Sequence, residues 1–321
     1  MTLPTVEAPL PADFPSRSRV LMTASCRDCD SIPKVDLAGE VFESPAGRVQ
    51  RMHNGVLVEA DGYCGAWMTE IIRRLHGHHE PQEERLFHEI IGRLPTGATM
   101  FELGGYWAYY SLWLKHAVPG ARSLVVEPDP VNRGVGMRNF ALNSQQAEFV
   151  AAGVGERPGT LRFRCEDGSR RSVSVVSVDA LMEQHRIEFL DVLHADIQGA
   201  ELAMLRGAAE TIRRGRVRFL MLSTHHHSIS GDPLTHQRCL SHLRDIGARI
   251  LCEHTVAESF SGDGLILASF DARDAELAGV PISYNRAQNS LFREVEYDLA
   301  AARTGRWRRA LGIPWSRRAA A

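Results

Sequence analysis

Apolar residues along this chain recur in two alternating rhythms. Short continuous runs near 98–103, 122–127, 147–152, 190–196, 217–223, 248–253 and 264–270 have the length and composition of strands buried on both faces. Between them, helices are expected to fill the gaps near 107–118, 131–142, 199–213 and 233–246. Strands separated by helices predict a parallel sheet covered on both faces. The last two runs have only about ten residues between them, too few for a helical crossover, and so predict an antiparallel pair. The expected class is α/β and Rossmann-like, with a seven-stranded, mostly parallel sheet and an antiparallel last strand.

Upstream, Glu80-Pro81 marks a helix start, and Leu86, Phe87, Ile90, Ile91 and Leu94 form one apolar face. From Gly39 to Ala60, β-prone runs flank Pro45-Ala46-Gly47 and Asn54-Gly55, and Asn-Gly is a strong hairpin signal. A small N-terminal β element is expected there, followed by a helical piece from Gly65 to Leu75. Residues 1–36, rich in Pro, Ser and Asp, predict an extended arm. Helical signal also fails between 155 and 178, where Thr160–Cys165 and Ser172–Val178 predict an extra β excursion. The expected division is 1–76 (arm, β hairpin and short helix), 77–270 (main sheet domain) and 271–321 (a helical, basic extension).

Composition narrows the classes. At 321 residues, 44% hydrophobic and 24% charged, the chain reads as one large globular domain with additions. A formal charge of -2 predicts no general attraction to nucleic acid or membrane. No segment has transmembrane length, and the N-terminus lacks a secretory pattern, so a cytoplasmic location is expected. A homo-oligomer stays open. The tail from Arg303 carries six arginines, no acid, Trp307 and Trp315. It reads as a solvated or docked tail, or as a contact for an anionic lipid, nucleic acid or phosphorylated substrate. Six cysteines are scattered, and only Cys26-Arg27-Asp28-Cys29 has metal-ligand spacing. No second pair follows; His53 and Cys64 are candidates to complete a site in space, and otherwise these are two reduced cysteines in a loop.

Candidate chemistry gathers at strand ends. Thr99-Met100-Phe101-Glu102-Leu103-Gly104-Gly105 ends a strand in an acid and two glycines, and Glu127-Pro128 ends the next strand 25 residues after Glu102. Glycine at such a turn lets backbone approach a nucleotide, and the second acid is placed for ribose hydroxyls. Trp107 and Ala108 stand where a dinucleotide loop has its third glycine. Adenosine with a short, cationic, phosphate-free tail does not need that glycine, and S-adenosylmethionine (SAM) is such a ligand. The expected cofactor contacts are Glu80, Glu102, Gly104, Gly105, Tyr106, Glu127, Pro128, Asn132, Ala152, Gly153 and Asp196. Glu80 either reaches the methionine ammonium or merely begins a helix. Tyr106, Trp107, Tyr109 and Tyr110 either bound the sulfonium or pack the helix, with Trp107 expected in the core.

Other strand ends supply Asp196 and His225-His226-His227. A hydroxyl acceptor must lose a proton as it attacks, and histidine titrates near neutrality. Asp196, His225 and His226 are therefore the candidate catalytic residues, the alternative being a polar strand end with solvated histidines. His194, two residues before Asp196, reads as a hydrogen-bonded core residue. A divalent cation held by Asp and His is conceivable but not preferred, and no metal ligands are assigned.

Asp196-Ile197-Gln198-Gly199-Ala200-Glu201, leading into Leu202-Ala203-Met204-Leu205-Arg206-Gly207-Ala208, resembles the signature of FkbM-type methyltransferases. The glycine turn, Val126-Glu127-Pro128 and Ser177-Val178-Asp179-Ala180-Leu181 resemble other motifs of that family in the same order, covering about Glu80 to Phe270. The chain departs from the family at Glu102 and Tyr106, where Asp and Asn are usual, and at His194 and Gln198, where Lys and Glu are usual. The resemblance implies a class I SAM methyltransferase fold, SAM as donor, and O-methylation of a saccharide or secondary-metabolite hydroxyl. A small-molecule or glycan acceptor would be the partner. An NAD-dependent oxidoreductase and a non-catalytic binding protein with a degenerate SAM fold remain as alternatives.

Overall fold

The computed structural model describes residues 10–285 together with 290 and 291. The basic tail from Arg303 lies outside the described residues. In chain order the elements begin with α1 (Arg17–Thr23), the strands β1 (Val41–Ser44), β2 (Gly47–Arg51) and β3 (Leu57–Glu59), then α2 (Ala66–Arg74) and α3 (Pro81–Ile91). The first sheet motif follows as β4 (Thr99–Leu103), α4 (Tyr109–Ala117), β5 (Arg122–Val126), α5 (Pro130–Leu142) and β6 (Glu148–Val150). Next come β7 (Ala152–Val154), β8 (Gly159–Arg164), β9 (Arg170–Val176), α6 (Val178–Gln184) and β10 (Leu190–Ala195). The chain continues with α7 (Glu201–Gly207), α8 (Ala209–Arg213), β11 (Val217–Thr224), α9 (His227–Ser230), α10 (Thr235–Asp245), β12 (Arg249–His254) and β13 (Gly264–Ser269). A 3₁₀ segment, Ala272–Gly279, closes the described fold.

The main sheet has seven strands in the order β12-β13-β11-β10-β4-β5-β6. Pairings from β11 through β10, β4 and β5 to β6 are parallel, and β13 runs antiparallel to both β11 and β12. This is the expected sheet. The connection from β12 to β13 is short because β13 reverses direction beside its predecessor. The chain order nevertheless differs from the spatial order, since β13 inserts between β12 and β11.

Period-two alternation divides the strand side chains between two apolar layers. Met100, Val125, Val192, Phe219, Met221, Leu265 and Leu267 enter one cluster with Leu86, Phe87 and Ile90 of α3 and the apolar face of α4. Phe101, Leu124, Val126, Leu193, Leu220, Leu222 and Ile266 enter the other, against α6, α7 and α10. Val20, Met52, Val56, Met68, Ile71 and Ile72 belong to the first cluster. The N-terminal elements therefore complete the layer over α3 and α4.

Four local expectations are corrected. The described part of the arm is not extended: it forms α1, and Val20, Cys26, Cys29 and Ile32 are buried. The run at 147–152 is two strands, because after β6 the chain leaves the main sheet and β7 pairs with β9 in a separate three-stranded sheet, β7-β9-β8. Ser177, expected within an extended run, instead caps α6 by accepting from Ala180 N at 3.2 Å. The helix expected over 199–213 is split at Ala208; Asp179 of α6 caps the second half, accepting from the backbone of Glu210 and Thr211 at 3.0 and 2.8 Å.

Candidate active site

Alternation along the strands dictates which polar side chains meet at their carboxyl ends. Glu102 pairs in register with His194 on the neighbouring strand, two residues on from Met100 and Val192, on the face covered by α3. From above, Glu83 of α3 completes the group: its Oε1 lies 2.7 Å from His194 Nε2, and its Oε2 accepts from Ser223 Oγ at 2.8 Å. Burial pushes Glu102 up, countered by His194 and by the Ser111 N–H, which it accepts at 2.9 Å. Burial opposes charge on His194 as well, but the Glu83 hydrogen bond and the Glu102 charge outweigh it and leave His194 raised. His194 is thus the hydrogen-bonded residue the sequence suggested, and it also reaches the cavity wall.

The glycine turn has a cause other than nucleotide approach. Gly104 has φ +77, and a Cβ there would lie 1.7 Å from the Asp196 carbonyl oxygen. At Gly105 a Cβ would meet Val125 Cγ1 at 2.3 Å. The two glycines let the β4 turn pass between β5 and β10. Tyr106 and Ala108 follow with φ of 39 and 59, a conformation costly for residues with a side chain. Glu127 accounts for part of that shape, accepting from Tyr106 N at 3.1 Å through Oε2 and from Asp129 N at 2.8 Å through Oε1. Burial pushes Glu127 up to about 7 despite these hydrogen bonds.

Around this turn lies a cavity of ≈ 720 Å³, within the range that encloses a cofactor-sized ligand. Its wall contains all eleven expected cofactor positions: Glu80, Glu102, Gly104, Gly105, Tyr106, Glu127, Pro128, Asn132, Ala152, Gly153 and Asp196. The donor set suits SAM. The cavity wall offers carboxylates that a cationic group would neutralise, and Asn132 Oδ1 and His194 Nδ1 are buried on or at this wall without a hydrogen-bond partner. Glu80 begins α3 without capping it. The capping acceptor is Glu84, whose Oε1 takes the backbone N–H of His79 at 2.7 Å and of Glu80 at 3.3 Å. That leaves the Glu80 carboxylate to His79, Tyr110 and the cavity. The aromatic group divides: Tyr106 and Tyr110 line the cavity, Tyr109 is buried away from it, and Trp107 is core while also presenting to the wall. Trp107 stacks on Tyr63, ring centroids 4.6 Å apart.

His225 and His226 are not part of that wall. His225 is enclosed, with Nε2 3.0 Å from Asp196 Oδ1 and 3.6 Å from Asp263 Oδ1, and Nδ1 2.6 Å from Glu201 Oε1. Burial disfavours its charge, yet Asp263, Asp196 and Glu201 together raise it well above its ordinary value. Both ring nitrogens are engaged, Nε2 also lying 2.8 Å from Gln198 Nε2, so this geometry does not fit His225 as a free base. Asp196 is held low: against burial, the His225 hydrogen bond and charge favour its ionised form. For Asp263, burial dominates, reinforced by Asp196 and Glu80 and opposed by His225, and pushes it up to about 7. His226 caps α9, its ring Nδ1 accepting from Ser228 N at 3.3 Å, and borders a separate hollow of ≈ 30 Å³ with His227 and His236.

Several residues of this site were not anticipated. Tyr63 and Cys64 arrive from the N-terminal region, and Leu161, Phe163, Arg164 and Glu166 from the β8 hairpin, joined by tertiary packing alone. Glu83 did leave a signal, since it falls on the apolar stripe of α3, three and four residues before Leu86 and Phe87. Asp263 had none beyond its place in a Gly-Asp-Gly turn.

Residues 97–250 match the sequence model of the methyltransferase FkbM domain. No curated protein matches the chain significantly. Among solved structures, precorrin-6y C5,15-methyltransferase from Geobacter metallireducens GS-15 is 13% identical with a TM-score of 0.38, covering 58% of this chain and 87% of that one. Ribosomal protein L11 methylase from Lactobacillus delbrueckii subsp. bulgaricus is 12% identical with a TM-score of 0.38, covering 60% and 79%. A SAM-dependent methyltransferase from Aquifex aeolicus is 11% identical with a TM-score of 0.37, covering 59% and 89%.

Proposed function

Since residues 97–250 belong to the FkbM methyltransferase family, we propose that this protein methylates a hydroxyl of a saccharide or secondary metabolite with SAM as donor. The observation that carries the proposal is the single cavity that gathers Glu80, Glu102, Glu127, Asn132 and Asp196 around the glycine turn. Bound there, SAM supplies an electrophilic methyl on a sulfonium. Glu127 accepts ribose hydroxyls through lone pairs left over from its two backbone contacts. Asp196, held ionised by His225, supplies negative charge for the cationic tail, and Glu80, which burial pushes up, adds a carboxyl that a bound cation would draw toward its ionised form.

The acceptor hydroxyl approaches on the side of Asp196, which lies on the cavity wall. Asp196 takes the hydrogen bond from that hydroxyl and orients it for in-line attack. Transfer would form the O–C bond as the sulfonium S–C bond breaks, leaving S-adenosylhomocysteine, and the hydroxyl proton would pass into the Asp196–His225–Asp263 group. Asp263, at about 7, is the carboxylate matched to hold a proton near neutral pH. His225 and Glu201 act as positioning residues that keep Asp196 ionised and fixed. His226 has no role in this scheme.

Calorimetry with SAM, S-adenosylhomocysteine and NAD, followed by an acceptor panel with radiolabelled SAM, tests the proposal. Binding of SAM with methyl transfer to a hydroxyl is expected. Binding of NAD without SAM would favour the oxidoreductase reading, and binding of neither would favour a non-catalytic module.

A further inference from the structure

The Cys26-x-x-Cys29 motif acquires partners in the fold that its spacing does not reveal. Cys29, His78 and Glu84 are all buried, and one donor atom from each lies within 4.8 Å of the others. They converge from two segments: the loop after α1, and the stretch that starts α3. Cys64 is not among them but lies on the wall of the large cavity, and His53 stacks on His78 with ring centroids 4.2 Å apart.

We propose that Cys29, His78 and Glu84 form a binding site for a structural divalent transition-metal ion of the zinc type, separate from the methyl-transfer cavity. Thiolate, imidazole and carboxylate together are a donor set suited to zinc. Donor atoms around tetrahedral zinc sit roughly 3.5 Å apart, so ~1 Å of side-chain contraction closes this shell. The carbonyl oxygen of Pro81, 3.2 Å from Cys29 Sγ, offers a fourth donor atom beside the group.

A hydrogen-bonded hub alone leaves the group incompletely satisfied. Glu84 Oε2 lies 2.5 Å from His78 Nδ1, and the Cys29 thiol donates to Pro81 O, yet His78 Nε2 is buried without any partner. His53 Nε2 beside it is likewise buried and unpartnered. An orphaned ring nitrogen in so enclosed a place is unfavourable, and a cation bound at His78 Nε2 satisfies it. On binding, the Cys29 S–H bond breaks, a metal–sulfur bond forms, and the proton leaves to solvent. The site would fasten the loop after α1 to the start of α3, which begins beside Glu80 on the cavity wall and carries Glu83 to His194.

The test is metal analysis of the full-length protein, as purified and after dialysis against zinc, paired with cobalt substitution. Expected are one zinc per chain and, with cobalt, a near-ultraviolet thiolate-to-metal charge-transfer band. Cys29→Ser should abolish that band and lower zinc content at least tenfold, whereas Cys26→Ser should retain both. Should Cys29→Ser fail to fold, the wild-type stoichiometry and the wild-type and Cys26→Ser cobalt spectra decide. Absence of stoichiometric metal from wild type after zinc dialysis, or a cobalt band that persists in folded Cys29→Ser or disappears in Cys26→Ser, would overturn the assignment.

Discussion

Replacing Glu127 by Gln separates cofactor recognition from folding. In the apo protein two opposing terms act. Burial raises the carboxyl from 4.5 to about 7, so at pH 8 its ionised form costs ~3 kcal/mol of stability that the neutral amide does not. Gln, however, offers one oxygen to the two backbone N–H groups of Tyr106 and Asp129. Leaving one of them unpaired costs about 1–3 kcal/mol. These terms nearly cancel, so the thermal midpoint at pH 8 should barely move. Cofactor binding has no such compensation. Losing one charge-assisted ribose hydrogen bond, worth about 1.5–3 kcal/mol, weakens SAM roughly 10- to 150-fold. The sign of the pH effect follows from the raised value. Stability contributed by protonated Glu127 is fully present below 4.5 and is lost as pH rises through about 7. SAM affinity runs the opposite way, rising with pH up to about 7 because the ionised form is the acceptor. Calorimetric titrations of wild type and Glu127→Gln from pH 5.5 to 8.5 should show a slope only in the wild type. Unchanged SAM affinity in a folded variant would remove Glu127 from the ribose site.

Other outcomes follow from the same geometry. Asp263→Asn should lower kcat by roughly 10²- to 10⁴-fold with little change in SAM affinity, and should abolish an acid limb near pH 7 in the wild-type kcat profile; a retained limb would place the proton elsewhere. Gly104→Ala should cost roughly 4 kcal/mol or prevent folding, because its Cβ meets the Asp196 carbonyl, whereas Gly97→Ala, with φ +78 and nothing within 4 Å, should cost about 1 kcal/mol in urea denaturation. Arg218→Met strands buried Asp274, whose carboxylate it holds at 2.7 and 3.1 Å, and should cost about 3–5 kcal/mol. Adding Asp274→Leu should restore much of that loss, and a double variant no better than the single one would contradict the ion-pair account.

The sequence by itself determined the layered framework. Continuous apolar runs specify strands covered on both faces, and the short span between β12 and β13 forces an antiparallel pair, because no helix fits there. It also placed all the expected cofactor residues on one wall, since the carboxyl ends of adjacent parallel strands lie together once the sheet forms. Only the tertiary structure decided what those residues do. Whether Glu80 capped a helix or faced the cavity depended on Glu84 taking the capping role, a choice between two acids four residues apart. Whether His225 was a free base depended on Asp263 and Glu201, which approach it from loops and helices far along the chain. The tight glycine turn likewise answers to the Asp196 carbonyl on a neighbouring strand. Periodicity records which face a residue takes, because that is set within a few residues of it. Protonation and hydrogen-bond roles are set by partners that lie anywhere from four to over 200 positions away, and no local pattern encodes their arrival.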